Sequence, residues 1–341
     1  MERKQVTAIA LTVILIVGLV ISLVIFLNNH QPGQTLTLSK IGQIDTGGRT
    51  ADVKVVGDIA YVIDQNEPSP GGLVLVNVSD PANPTELSSF HDGGWPNKVD
   101  VLGDFVFVAD ASEGLEIIDA SDPTDIDEVA EYTGSGEVYD VQIVGNIAYI
   151  ADWNDGLVIL NVTDPASPEF LSGYSIVGAC HHLHVVDDLA FVVDHRDDNT
   201  GVKVLNISDP LTPSLVGNYM PDDDIWNPFI CGDYMYSGNH ELNGGELLII
   251  DIQNLSNITR MSTFDPGGSV FAVHVVGTKA YVADYELGLL VVDVNNPSRP
   301  KQIGRFYDGG GSINLDVAEN LIYVADRAGG LEIIQASTVS G

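Results

Sequence analysis

The segment that decides the fold runs from Tyr139 to Pro165 and reads YDVQIVGNIAYIADWNDGLVILNVTDP. Apolar and polar residues alternate at its start, and β-branched or aromatic residues fill the runs that follow. The runs are separated by Gly145-Asn146 and by the polar stretch from Asp152 to Gly156. Because period-two alternation and tight-turn residues are typical of hairpins, the segment predicts three short antiparallel strands, and Glu169–Tyr174 predicts a fourth.

The same pattern recurs seven times at steps of 42 to 46 residues. Each copy begins after an aromatic or aliphatic anchor, and the anchors are Ile44, Phe90, Tyr132, Tyr174, Tyr219, Phe264 and Phe306. Four short strands per unit at a fixed period are the signature of a β-propeller blade. No segment after residue 35 has the apolar period of a helix, which excludes a helical solenoid. We therefore predict an all-β, seven-bladed propeller, preceded by one transmembrane helix.

The last copy stops after its third strand, and the chain holds one candidate for the missing fourth strand. Leu36–Ile44 precedes the first copy and aligns with the fourth-strand positions of the others. An open array would leave two exposed sheet edges, which closure of the ring removes. The N-terminal strand is therefore predicted to complete the last blade.

The third strands share one pattern, reading LEIID at 115–119, LVILN at 157–161, LIID at 248–251 and LVVD at 290–293. This pattern resembles the LVIVD repeat family. The resemblance covers about residues 36–335 and implies a β-propeller of the kind found on prokaryotic surface or secreted proteins. It implies no defined activity and carries no catalytic signature. The fifth copy departs most, with Ser237-Gly238-Asn239 where others read Val-Ala-Asp.

The N-terminal segment predicts a membrane anchor. Residues 6–27 are apolar and uncharged, and this length spans a bilayer core of roughly 30 Å. Arg3 and Lys4 favour a cytoplasmic N-terminus. We divide the chain into a cytoplasmic N-terminus (1–5), a transmembrane signal anchor (6–27), a linker (28–35) and a propeller (36–341) on the extracellular side of the cell membrane. A cleaved signal peptide is the alternative, but no small-x-small cleavage site follows.

Composition limits the partners. The net charge is −34, from 48 Asp and Glu against 14 Lys and Arg, so the chain should repel nucleic acid. Two cysteines are too few for a disulfide scaffold. Because Cys180 and Cys231 lie in neighbouring repeats, they are either one bridge or two small buried residues.

All length differences between copies fall in the loop between the second and third strands. In a blade, this loop lies on the same face as the segment that enters the innermost strand, and insertions confined to one face mark a binding face. The candidate binding residues on that face are Trp95, Trp153, His181, His195, Trp226, His240, Glu241 and Tyr285. Exposed aromatic residues suit a protein or glycan ligand, although each tryptophan could instead fill the end of a blade.

The polar positions of the innermost strands predict two rings along the axial channel. The upper ring is Asp52, Lys98, Asp140, His182, Asn227, Ala272 and Asn314. The second ring is Lys54, Asp100, Gln142, His184, Phe229, His274 and Asp316. Below them, an apolar ring is expected to plug the channel, formed by Val56, Leu102, Val144, Val186, Cys231, Val276 and Ala318. Such a funnel could hold a ligand or ordered water.

The alternative function is a metal-dependent enzyme at the channel mouth. Imidazole and carboxylate groups suit zinc, copper or non-haem iron, and the candidate ligands of a divalent metal ion are His182, His184, His195, His240 and His274. Against it, the opposite side of the ring offers Asp and Lys. No nucleophile elbow, phosphate loop or calcium loop is present. A module that binds protein or glycan without a cofactor is the main hypothesis, and a purely structural surface or adhesion module is the third.

Overall fold

The computed structural model describes residues 35–65, 71–91, 93–134, 136–176, 178–195, 201–221, 224–239 and 244–338. These residues form 28 β-strands. The first 14 are β1 (Leu36–Ile44), β2 (Arg49–Val56), β3 (Ile59–Gln65), β4 (Gly72–Asn77), β5 (Thr85–Phe90), β6 (Lys98–Leu102), β7 (Phe105–Asp110), β8 (Gly114–Asp119), β9 (Asp127–Tyr132), β10 (Val138–Val144), β11 (Ile147–Asp152), β12 (Gly156–Asn161), β13 (Glu169–Tyr174) and β14 (Ala179–Val186). The others are β15 (Leu189–His195), β16 (Gly201–Asn206), β17 (Ser214–Tyr219), β18 (Trp226–Cys231), β19 (Tyr234–Gly238), β20 (Gly245–Asp251), β21 (Thr259–Gly268), β22 (Val270–Val276), β23 (Lys279–Asp284), β24 (Gly288–Asp293), β25 (Lys301–Phe306), β26 (Ser312–Ala318), β27 (Leu321–Asp326) and β28 (Gly330–Thr338).

The strands form seven four-stranded antiparallel sheets, which confirms the seven-bladed propeller. Six blades are consecutive sets of four strands, from β2–β5 to β22–β25. The seventh has the order β1-β28-β27-β26, so the N-terminal strand completes it as predicted. Leu36 lies opposite Thr338 and Ile44 opposite Leu331. The Lys40 ammonium supports this closure by binding Asp308 at 2.5 Å and Glu332 at 2.9 Å.

The core is divided among the blade interfaces. Each of seven clusters of buried residues joins side chains from two adjacent blades. In one of them, Tyr149 and Ile159 of the third blade contact Leu183 and Val192 of the fourth. The middle strands are buried because both of their faces lie against other blades, which explains their continuous Val, Ile and Leu composition.

The repeated aspartate at or near the end of the second strand, which only the fifth blade replaces with Asn239, supports the following turn. The Oδ1 atom of Asp284 accepts hydrogen bonds from the backbone N–H of Glu286 and Leu287, at 3.0 and 2.8 Å. Asp326 accepts equivalent bonds from Ala328 and Gly329. A side chain at Gly268 would lie 2.2 Å from the Asp284 carboxylate, so the glycine before the inner strand leaves room for it. These aspartates therefore cap the turn through their side chains.

The two ends of the propeller carry different connections. On the upper face, the second-to-third-strand turns of the third, sixth and seventh blades meet the segment before the inner strand, as where the Arg327 N–H donates to the Gly311 carbonyl at 3.0 Å. On the lower face, the hairpin of the two inner strands meets the end of the third strand, as where the Val162 N–H donates to the Asn146 carbonyl at 2.9 Å. The channel mouth considered below opens on the upper face.

Three expectations from the sequence need comment. The predicted apolar plug is not formed at two of its positions, because Val56 is 45% and Val144 42% exposed. Cys180 and Cys231 are both free thiols, the first buried and the second half-buried. Within the described residues no helix has the length and apolarity needed to cross a membrane. The anchor predicted for residues 6–27 lies outside these residues.

Candidate functional site

A distortion of the inner strands directs one extra set of side chains to the channel mouth. In five blades the ladder between the first and second strands skips one residue near its upper end, which is a β-bulge. The skipped residues are Ala51, Tyr139, His181, Phe271 and Ile313. In the fifth blade the ladder is interrupted directly after Trp226. In the second blade the equivalent residue is Asn97, immediately before β6. We refer to these seven residues as the bulge ring.

The bulge ring lines a cavity, which we term the mouth chamber. Its volume is about 220 Å³. All seven members of the bulge ring line it, together with Gln65, Lys98, His182, Asn227, Asn314 and Arg327. Strict alternation along the inner strand does not reveal this ring, because a bulge changes which residues face the channel. The sequence did contain one signal: in most of the aligned copies, the residue directly before the upper-ring position is aromatic or apolar.

One side of the mouth chamber is an aromatic cluster of Tyr139, Trp153, His181, His182, His195 and Trp226. The His181 ring lies at its centre, with its centroid 4.2 Å from Tyr139, 5.1 Å from Trp153 and 5.4 Å from Trp226. His195 and His182 lie within 5.2 and 5.5 Å of the same ring. The cluster joins the third, fourth and fifth blades. The structure thus brings together four of the predicted binding residues, Trp153, His181, His195 and Trp226.

The remaining predicted binding residues lie elsewhere. Tyr285 is on the other side of the mouth, 5.7 Å from the Phe271 ring and 6.0 Å from the Arg327 guanidinium carbon. Trp95 is exposed, and its backbone carbonyl accepts a hydrogen bond from the Asn97 side chain. His240 and Glu241 fall outside the described residues, as do residues 66–70 and 196–200 of the other long upper loops.

Below the mouth, the upper ring separates it from a second cavity of about 170 Å³, the axial chamber. Lys98, Asn227 and Asn314 line both cavities. Asp52 binds Lys98 at 3.4 Å and accepts a hydrogen bond from the Asn314 side chain. Burial raises the pKa of Asp52 to about 6, although Lys98 and the Val99 N–H act in the opposite direction. Asp52, Lys98 and Asn314 of the upper ring therefore form one connected polar group between the two cavities.

The polar groups of the inner strands also tie neighbouring blades together. Asp52 accepts a hydrogen bond from the Val99 N–H at 2.9 Å, and Asp100 accepts one from Ile143 at 2.7 Å. Asp140 accepts the Leu183 N–H at 3.0 Å, and Asp316 accepts the Val55 N–H at 2.8 Å, across the closing interface. These side chains line the channel as predicted. Their hydrogen bonds show a second role as links between inner strands, which the sequence did not reveal.

After Gln142, the next members of the second ring contact one another through their aromatic side chains. The Phe229 ring lies between His184 and His274, with centroid distances of 5.0 and 4.7 Å. Burial lowers the pKa of His184 to about 4 and also lowers that of His274. Both imidazoles are therefore neutral near pH 7. His274 Nδ1 lies 3.5 Å from Asp316.

The described part of the chain does not assemble the predicted histidine ligands around one point. Phe229 separates His184 from His274. Among the described residues, the single group of three potential ligands with atoms within 4.8 Å of one another is Asp308, Asp326 and Glu332. The Lys40 ammonium already binds two of these carboxylates. Because His240 lies outside the described residues, a metal site that includes it stays a prediction.

The fold and the repeat pattern define a seven-bladed β-propeller built from one repeated sequence. The model of the LVIVD repeat matches residues 47–92, 93–134, 135–175, 178–221, 224–265, 267–308 and 309–340. The chain therefore belongs to the LVIVD repeat family, and each match contains one blade or, in the last case, its first three strands. A search of curated protein sequences found no match.

Solved structures share this fold. Hydrazine synthase from Kuenenia stuttgartiensis aligns with a TM-score of 0.69 at 12% identity, covering 87% of this chain and 97% of that one. The computationally designed Ika8 protein aligns at 0.61 and 10% identity, covering 89% of this chain and all of its own. Sqt1 of Saccharomyces cerevisiae aligns at 0.60 and 9% identity, covering 90% of this chain and all of its own. At these identities the similarity establishes the fold alone.

Proposed function

We propose that this propeller is an interaction module that binds a protein or glycan ligand at the mouth chamber. One observation carries the proposal: all seven blades direct a side chain from the bulge ring into one cavity. Bulges near the rim of a closed sheet are a common way to aim side chains at a ligand. The fold by itself needs no such convergence, because the blade interfaces already bury the core.

The size of the chamber indicates how much of a ligand it takes. Cavities for drug-sized ligands measure roughly 300–1,000 Å³, whereas the mouth chamber measures about 220 Å³. It therefore accommodates one sugar ring or one large side chain. The rest of a larger ligand would lie on the upper face, where Trp95 and Trp153 are exposed. Aromatic groups at a rim provide large contact area at low conformational-entropy cost.

We also propose that residues 6–27 anchor the chain in the cell membrane, with the propeller outside. The strand β1 supports one orientation for this arrangement. Its first residue, Leu36, pairs with Thr338 at the lower end of the blade, and its last, Ile44, pairs with Leu331 at the upper end. A linker of residues 28–35 extends to at most about 28 Å. The lower face would then lie towards the membrane and the mouth chamber away from it, accessible to a ligand.

The binding proposal is tested with arrays of glycans and peptides probed by the full-length chain. Truncation of a central interface aromatic costs about 2 kcal/mol or more, which is roughly thirtyfold in affinity. We expect Trp226→Ala to weaken array ligands by that amount and Phe170→Ala, at an aromatic residue 59% exposed on an outer strand, to leave them unchanged. Equal binding by both variants, or no ligand at all, contradicts the proposal and favours a purely structural module.

The anchoring proposal has its own test. An epitope tag placed after Gly341 is expected to react with antibody on intact cells, whereas a tag before Met1 reacts only after permeabilisation. Release of the tagged propeller into the medium would contradict an uncleaved anchor and favour the signal peptide.

A further inference from the structure

The charge of the mouth chamber differs from that of the protein. The chain has 48 acidic and 14 basic residues. Among the described residues that line the mouth chamber, however, two are basic, Lys98 and Arg327, and none is acidic. The axial chamber directly below is lined by four aspartates. Glu137, near Tyr139 in sequence, accepts a hydrogen bond from the Tyr139 hydroxyl. As far as its described lining goes, the mouth chamber is therefore a locally basic cavity in a strongly acidic molecule.

Of the two cations, Arg327 is the one whose charge is available to a ligand. Lys98 is neutralised from below by Asp52, at 3.4 Å. Arg327 lies in the turn after β27, where its backbone N–H donates a hydrogen bond to the Gly311 carbonyl. Its guanidinium carbon lies 6.0 Å from the centroid of the Tyr285 ring, and it makes no ion pair with any residue that the structure describes. A guanidinium held against a ring with its donors unpaired is suited to bind a carboxylate with two parallel hydrogen bonds.

The rest of the lining indicates what carries that carboxylate. Tyr139, His181 and Trp226 form an aromatic wall opposite Phe271 and Ile313. Between these walls lie carboxamide side chains, which both donate and accept hydrogen bonds: Gln65, Asn97, Asn227 and Asn314. A sugar ring offers apolar C–H faces to the aromatic wall and hydroxyl groups to the carboxamides. Asn97, Asn314 and the Gln65 amide N–H groups are already hydrogen-bonded within the protein, so the groups that face a ligand are the Asn227 carboxamide and the Gln65 Oε1 atom. A flat aromatic acid would use the rings and the cation but would desolvate these groups without pairing them, which costs binding energy.

We propose that the mouth chamber recognises an acidic sugar, a uronic acid residue within an anionic glycan, with Arg327 binding its carboxylate. The proposal rests on the proposed function, since it assigns a ligand class to the same chamber. The cavity of about 220 Å³ matches one sugar ring, so a single uronic acid residue fills it and neighbouring residues of the glycan lie on the upper face. Arg327 selects the charge, Asn227 and Gln65 select the hydroxyl groups, and the aromatic wall holds the ring.

The test is isothermal titration calorimetry of the full-length chain with three probes: D-glucuronate, D-glucose and benzoate. Glucose has the same ring with a neutral CH₂OH group, and benzoate has a carboxylate on a flat ring. Because a hydrogen bond to a charged group is worth about twice a neutral one, we expect glucuronate to bind at least tenfold more tightly than glucose. It should exceed benzoate by a similar factor, because benzoate has no hydroxyl groups to pair with the carboxamides. Arg327→Gln is expected to reduce glucuronate binding to the level of glucose. Arg327→Lys keeps the positive charge but cannot form two parallel hydrogen bonds to a carboxylate, so its affinity for glucuronate should be intermediate.

The matched control is Arg305→Gln. Arg305 also lies over a tyrosine, with its guanidinium carbon 5.4 Å from the Tyr307 ring centroid, but it does not line the chamber. This variant should bind glucuronate like the wild type, and circular dichroism should show that all variants are folded. Equal affinity for glucose and glucuronate, stronger binding of benzoate, or full glucuronate affinity in a folded Arg327→Gln variant each overturns the proposal. If no probe binds while array ligands still depend on Trp226, the acidic-sugar assignment is wrong and the binding function stands.

Discussion

Removal of the closing strand is the sharpest test of how the ring is held. We compare a chain that begins at residue 34 with one that begins at residue 46, which lacks β1 (Leu36–Ile44). Leu36 and Leu38 of this strand are buried in the cluster formed with Tyr281 and Val291 of the sixth blade and Ile334 of the seventh. The shorter chain loses both leucines and exposes the edge of β28.

The magnitude follows from the burial. A fully buried leucine contributes roughly 1.5–3 kcal/mol, so the two leucines account for about 3–6 kcal/mol of unfolding free energy. Domains are stable by only about 5–15 kcal/mol, and the loss is therefore a large part of the total. The single change Leu38→Ala should cost about 2–5 kcal/mol. Ser39→Ala, at the exposed neighbouring position, should cost almost nothing.

The assay is urea unfolding monitored by circular dichroism, with the midpoint and slope fitted for each chain. The expected order of stability is the longer chain, then Ser39→Ala close to it, then Leu38→Ala, with the truncated chain marginal or unfolded. The reasoning is refuted if the chain beginning at residue 46 is as stable as the one beginning at residue 34.

Three further predictions address the buried carboxylates and the histidines. Burial raises the pKa of Asp284 to about 6, so its contribution is fully present below its unfolded value and is lost as pH rises through about 6. Asp284→Asn should therefore gain stability relative to the wild type by roughly 3 kcal/mol between pH 4 and 7 in urea unfolding. A difference that does not change with pH would contradict this. Asp140→Ala leaves the Leu183 N–H without its acceptor and should cost about 1–3 kcal/mol of unfolding free energy in the same assay. The control, Asp155→Ala at an exposed position, should be neutral. Equal effects of the two changes would argue against the link between blades. Because Phe229 separates His184 from His274, the two histidines should not bind one zinc ion together. Elemental analysis of the zinc-loaded full-length chain should therefore find the same zinc content in the wild type and in His184→Ala. Stoichiometric zinc that is lost in the variant would instead favour the metal-dependent enzyme.

The candidate site was only partly accessible to reasoning from sequence. The face and four members of the aromatic cluster followed from loop lengths and residue types. Tyr139 and Phe271 were missed because alternation assigned each inner-strand residue to the channel or to the core. A β-bulge adds one residue to one strand, and whether it forms depends on the partner strand and the neighbouring blade. Arg327 was missed because its role depends on Tyr285 and on a cavity shared by all seven blades.

The sequence by itself determined the number of blades, the order of strands within each and the closure by Leu36–Ile44. These features depend on local alternation, turn residues and a repeat period, which are written along the chain. Tertiary structure alone decided which side chains meet at the axis. Positions such as Asp52 and Val99, or His181 and Trp226, come from different repeats and are brought together by the packing of blades around the ring. The mouth chamber has no local signature, because each blade contributes a single bulge-ring residue to it and the cavity exists only where the seven converge.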